Sequence, residues 1–280
     1  MTLTTSELDE VAAANASGKT PVVFVHGLWL LSSSWRAWRD LFEEQGYATL
    51  APGWPDDPDT VDQARADPDA FAGKMVKQVT AHYAEAIDAL DEAPVVIGHS
   101  FGGLIAQKLA GESKNAVTVA IDPAQFKGVT ALPPAALKAA APALLRFNHT
   151  RHGVTLTWEQ FAFGWSNALS EEEGRALYEE FHVPASSVPI FQAATANFNP
   201  FAETKVVTDN QDRGPLLLIA GADDNTVPQA VVENEYRIQQ KNVGDTELAI
   251  IPNRGHSLII DAGWREVADT ALAFVHKHAS

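Results

Sequence analysis

Ser100, His256 and a choice of three aspartates are the residues of this chain whose surroundings suit covalent catalysis. Ser100 stands in Gly98-His99-Ser100-Phe101-Gly102, directly after the apolar run Val95-Val96-Ile97 and before a helical pattern through Leu104, Ile105, Gln107 and Leu109. Two glycines at that spacing let a strand and a helix close around one residue held in strained backbone geometry. A structural serine needs none of this, whereas a nucleophile that must stand clear of the fold does. Serine is by itself a poor nucleophile and needs a base, held in turn by an acid. Such groups belong on loops beyond strand ends. His256 qualifies, in the Gly-containing turn after "ELAIIPN". Asp223 and Asp224 qualify as acids after "PLLLIAG", and Asp122 competes after "AVTVAID".

Other residues invite chemistry less strongly. Strand alternation predicts that His99 points away from the site and is structural. Trp29 either shapes a pocket mouth or packs on Trp35. His149 and His152 sit three apart, and His276 and His278 flank a lysine, but neither pair has a third candidate ligand nearby. We therefore read them as surface histidines and expect no metal. The run Glu171–Glu173 reads as a solvated helix start, favoured by the helix dipole.

The elements that must position these residues alternate. Buried strands are expected at 21–27, 95–97, 116–122, 215–221 and 247–253, and a short strand in "YATLAPGWP" (47–55) that runs into a Gly/Pro turn. Between them, Trp35, Trp38, Leu41 and Phe42 share one helical face, as do Val76, Val79, Tyr83, Ile87 and Leu90. A closing helix is expected at 262–278, and Thr226 is expected to cap a helix with Pro228 in its first turn. Continuous apolar strands alternating with helices predict a doubly wound, mostly parallel α/β sheet. Residues 124–213 break the rhythm, with no convincing strand and with helix starts at "TWEQ" and "SEEE" that fit the capping-box pattern. The expected division is a core of residues 1–123 and 214–280 with a helical lid of 124–213. The lid carries Trp158, Phe161, Phe163, Trp165, Phe191, Phe198 and Phe201, so an apolar cavity lined by some of them is expected over Ser100.

Composition excludes several classes. A formal net charge of −16 over 280 residues argues against nucleic acid and anionic membrane surfaces as partners. The chain has no cysteine, which removes disulfides, thiolate catalysis and cysteine–zinc sites. The polar, acidic start "MTLTTSELDE" has no apolar signal region, and no run approaches a membrane span, so a cytoplasmic protein is expected.

Four motifs together resemble the α/β-hydrolase superfamily over roughly residues 20 to 278. They are Gly98–Gly102 for the nucleophile elbow, "HGLW" at 26–29 for the oxyanion turn, "GADDNTVP" for the acid loop and "GHS" at 255–257 for the base loop. The resemblance selects Asp224 over Asp223 and implies the triad Ser100, Asp224 and His256, in the chain order of that superfamily. It implies oxyanion donors at the backbone N–H groups of Leu28 and Phe101. It also implies an esterase-like serine hydrolase acting without a cofactor on small to medium apolar esters; from the lid aromatics and the place of Trp29, the residues expected in the pocket are Trp29, Phe161 and Trp165. Lactone, carbon–carbon or peracid chemistry on the same triad remains open, as does a triad-bearing receptor. Only about twenty residues precede the first strand, so a trimmed sheet of about six strands is expected.

Overall fold

The computed structural model describes residues 3–145 and 150–279. Its centre is one sheet of six strands in the order β2-β1-β3-β4-β5-β6, every neighbouring pair parallel. The strands are β1 (Pro21–Val25), β2 (Ala48–Leu50), β3 (Val95–His99), β4 (Val117–Ile121), β5 (Leu216–Gly221) and β6 (Thr246–Ile251). β1, β3, β4 and β5 are buried along their whole length, as runs such as Val22-Val23-Phe24-Val25 require of strands covered on both faces. The six-strand expectation holds.

Helices fill the crossovers, α2 (Arg36–Glu44), α3 (Val61–Ala66), α4 (Val76–Asp88), α5 (Phe101–Gly111) and α10 (Gln229–Gln239), and α11 (Trp264–His278) follows the last strand. Trp35, Trp38 and Phe42 are fully buried around Phe24, with Trp35 and Trp38 edge to face at 5.2 Å. An opening helix, α1 (Thr5–Ser17), went unpredicted. Thr4 and Glu7 close a capping box at its start, and Glu10 Oε2 accepts from the Ala51 N–H just beyond β2. The helix thus leans on the β2 edge of the sheet.

Between β4 and β5 the chain forms α6 (Pro134–Leu144), α7 (Trp158–Gly164), α8 (Glu171–Phe181) and α9 (Val188–Thr195), with one isolated bridge from Val154 to Ala185. Thr157 and Gln160 make the expected capping box on α7. At α8 only half of one forms. Ser170 caps Glu173 N–H, while the Glu173 carboxylate turns outward to accept from Ala262 N–H. No described helix is long and apolar enough to cross a membrane.

The strand order reverses between β1 and β3, so the loops leaving their carboxyl ends diverge. A crevice at such a switch point is where open α/β sheets hold ligands. Here it lies between the His26-Gly27 turn and Ser100.

Candidate active site

The elbow is built by contact. A Cβ on Gly98 would lie 2.1 Å from the Gly102 carbonyl oxygen, and one on Gly102 would lie 2.0 Å from that of Val25. β3, α5 and the end of β1 therefore meet at distances only glycine permits. Ser100, pinned between the two glycines, takes φ 56° and ψ −122°. Strain of this kind costs about 1–3 kcal/mol and persists only where the surroundings dictate it. Gly27 is pressed against the same residue, because a Cβ there would meet Ser100 Cβ at 2.8 Å. The His-Gly turn and the elbow are therefore one packed unit. Phe101 is the first residue of α5, where N–H groups lack intrahelical acceptors. The Leu28 N–H makes no hydrogen bond among the described residues.

The acid and base loops follow β5 and β6. His256 Nδ1 and Asp224 Oδ2 are 2.6 Å apart, both side chains fully buried. The other carboxylate oxygen of Asp224 accepts from the N–H groups of Thr226 at 2.6 Å and Val227 at 2.9 Å. Three donors converge on one carboxylate, the pattern that stabilises its ionised form. Thr226 therefore does not cap α10, which begins at Gln229 behind Pro228. Its N–H serves Asp224 and its hydroxyl donates to Gly164 O. His256 Nε2, the nitrogen away from Asp224, has no hydrogen-bond partner among the described residues.

His99 is not remote from this centre. Its ring lies 4.6 Å from that of His256 and is wholly buried, with neither nitrogen bonded. Burial, and then the neighbouring His256, hold it well below the ordinary histidine range, so it is neutral. Alternation along β3 was a poor guide because His99 ends the strand and the β6 loop folds across it. Asp122, the competing acid, is buried beside Asp224. It takes one backbone hydrogen bond, from Gly221 N–H at 2.8 Å, and its other oxygen has none. His99, Asp122 and His256 each bring one donor atom within 4.8 Å of the others. Two of the three already have partners outside that group, His256 in Asp224 and Asp122 in the Gly221 N–H.

A cavity of about 140 Å³ opens onto Ser100. Trp29, Phe101 and Val227 wall it on the core side, and Ala139, Ala140, Leu144, Ile190 and Ala193 of α6 and α9 face them. Trp29 takes φ 64° and donates its ring N–H to Val154 O, so it belongs to the pocket and not to a stack on Trp35. Phe161 and Trp165, expected in the pocket, are absent from its lining. They stack on each other at 5.7 Å, and Trp165 stands edge-on against His256 at 4.6 Å. Phe198 and Phe201 are about nine-tenths exposed. On the lid side the cavity is lined by aliphatic residues where sequence reasoning expected aromatics.

Three of the four histidines paired in the sequence make contacts elsewhere. His276 stacks on Tyr47, and His278 lies against Phe274 and Glu247. His152 meets Asp69, and His149 lies outside the described residues.

Residues 22–270 match the model of a family described as alpha/beta hydrolases. No curated protein matches the chain. Among solved structures, a monoacylglycerol lipase of Paleococcus ferrophilus is similar at 20% identity and a TM-score of 0.64, over 92% of this chain and 94% of that one. A polyneuridine aldehyde esterase is similar at 19% identity and 0.61, over 91% and 99%. Methylketone synthase I of tomato, solved with 2-tridecanone, is similar at 17% and 0.63, over 93% and 99%. At these identities the likeness is one of fold.

Proposed function

The chain belongs to the alpha/beta hydrolase family, and on that premise we propose that it is a serine hydrolase cleaving carboxylic esters of small to medium apolar groups. The observation that carries the reading is the buried 2.6 Å pairing of His256 with Asp224 behind a serine held at φ 56°. Asp224 fixes the imidazole tautomer that keeps a proton on Nδ1. That leaves Nε2 to accept the proton of Ser100 as its oxygen attacks the acyl carbon. The N–H groups of Leu28 and Phe101 receive the charge that develops on the carbonyl oxygen, each worth about 3 kcal/mol in the transition state. The imidazolium, stabilised by Asp224, protonates the departing alcohol. Water activated by the same histidine then releases the acid from Ser100. None of these steps calls on a cofactor.

The aliphatic cavity supports an apolar substrate. A cavity of roughly 150 Å³ accommodates benzene, so about 140 Å³ suits a group of that size or a short alkyl chain. A lipase, an esterase and a ketone-bound synthase among the similar folds agree with that class. Residues 124–213 serve as the lid, with 1–123 and 214–280 as the core. The carboxyl end of α7 is a fixed part of it. Gly164 O accepts from Thr226, Phe163 O from Asn225 and Trp165 O from the Ser257 N–H, which ties this end to both catalytic loops. α6 and α9, which line the cavity, are the part left to admit substrate.

A turnover screen across chromogenic esters of increasing acyl length, with lactones alongside and Ser100→Ala as control, tests the reading. Steady turnover of short and medium esters, abolished in Ser100→Ala, is the expected result. A burst without turnover would mark a triad-bearing receptor instead.

A further inference from the structure

Two buried carboxyl groups share the centre behind Ser100, and among the described residues no Lys or Arg pairs with either. Burying two neighbouring carboxylates with one imidazole between them is costly unless one keeps its proton. Hydrogen bonds decide which. Asp224 receives three donors: His256 Nδ1 and the N–H groups of Thr226 and Val227. Asp122 receives one, from Gly221, and its Oδ2 faces no donor. A bare carboxylate oxygen sealed from water is unfavourable, whereas a carboxylic O–H at that position can donate to an acceptor.

We propose that Asp122 is a neutral carboxylic acid whose Oδ2–H donates to Asp224, which makes it a positioning residue for the acid of the triad. The proposal rests on Asp224 being that acid. Burial first, and then the adjacent Asp224, push the Asp122 carboxyl well above the ordinary carboxylate range, in agreement with the donor count. Among the described residues, the titratable groups facing Asp122 are Asp224 after β5, His256 after β6 and His99 at the end of β3. His99 is neutral, so it supplies no positive charge that would ionise Asp122. The position also suits the residue type. Asp122 has φ 38°, in a region that aspartate and asparagine tolerate better than other side chains.

The consequence for catalysis has a definite sign. An O–H donor stabilises the Asp224 anion and so weakens its hold on the imidazolium of His256. The acid limb of the rate profile should then lie at lower pH than with an unsupported Asp224. An ionised Asp122 would do the reverse, because a second negative charge favours the imidazolium.

Three variants test this. Asp122→Asn is the neutral isostere; its amide oxygen can accept from Gly221 and its NH₂ can donate to Asp224. Asp122→Gly tolerates the positive φ and removes the donor. Asp224→Asn reports on the triad assignment. The acid limb of kcat/KM on p-nitrophenyl butyrate should be unmoved in Asp122→Asn and displaced to higher pH in Asp122→Gly. A displacement to lower pH in both, by about one unit, would show that Asp122 is ionised and overturn the proposal. An unmoved limb in Asp122→Gly would overturn the donor role. If Asp122→Asn abolished turnover while Asp224→Asn kept it, the triad assignment itself would fall. Infrared difference spectra of wild type against Asp122→Asn give a reading independent of activity and of any variant's turnover. The carbonyl band of a neutral carboxylic acid should be lost in the variant at pH 7. Loss of a carboxylate band instead would overturn the proposal.

Discussion

Trp165 stands edge-on to His256, ring centroids 4.6 Å apart and planes at 81°. With the His99 ring 4.6 Å from the same imidazole and tilted at 45°, it holds the imidazole between two buried aromatic walls. These walls set where the ring sits, and the Asp224 bond sets how it is turned.

Trp165→Ala should therefore damage catalysis and stability and leave substrate choice alone. A buried Trp→Ala change costs about 3–5 kcal/mol, and a loosened imidazole should lower kcat by at least about tenfold. The check is thermal unfolding together with kcat/KM across p-nitrophenyl acetate to decanoate. The profile of relative rates should stay that of the wild type.

Substrate choice should instead follow the small residues of α6 and α9. Ala139 and Ala193 line the cavity over Ser100. Enlarging Ala193 to Leu, or Ala139 to Phe, fills space that an acyl or alcohol chain would occupy. The preferred chain should shorten in each variant, with KM for the longest esters rising about tenfold or more while that for acetate stays within about twofold. The same ester series measures it.

The origin of the error about the pocket is physical. Strands such as Val22–Val25 and Leu216–Gly221 were legible because a strand buried on both faces must be continuously apolar. The elbow was legible because only glycine fits beside Ser100 on either side. The acid loop was legible in part. Asp224 followed from its motif, but the Asp-Asn-Thr turn that feeds Thr226 and Val227 N–H groups to its carboxylate was taken for a helix cap. A pattern of aromatics says that a segment buries rings and not which way they face. Trp165 faces the base with Phe161 stacked on it, Phe198 and Phe201 face solvent, and the alanines of α6 form a wall of the cavity. The pair Pro133-Pro134 opens α6, with proline inside the first turn, and could have flagged that helix.

A buried acid outside the site offers a stability prediction with a fixed sign. Glu235 lies fully buried on α10, and burial holds its carboxyl well above the ordinary range even though Gln107 donates to it at 2.7 Å. In the unfolded chain this group ionises near about pH 4.3. Above that pH the unfolded state releases a proton that the folded state retains, so the contribution of Glu235 to stability declines as pH rises. Glu235→Gln should remove the dependence. Its gain should be near zero at about pH 4 and grow as the pH rises to about 8. Urea unfolding of both proteins at the two pH values checks it.

Asp224→Asn should fold as the wild type does yet lose about three to four orders of magnitude in kcat, because an amide facing Nδ1 favours the wrong imidazole tautomer. Circular dichroism and steady-state rates on one ester suffice. Retention of more than about a tenth of the wild-type kcat would move the acid elsewhere, with Asp122 the first place to look.

Covalent capture of the nucleophile bears most directly on the proposed activity. An organophosphonate carrying a fluoride leaving group phosphonylates a serine only where a base draws off its proton. Intact mass spectrometry of wild type, Ser100→Ala and His256→Ala after equal exposure gives the answer. Wild type should gain the mass of one phosphonyl group, mapped by peptide digestion to Ser100, while Ser100→Ala gains none and His256→Ala lags far behind. Equal labelling of wild type and Ser100→Ala, or none of the wild type under conditions that label a control serine esterase, would contradict Ser100 as an activated nucleophile.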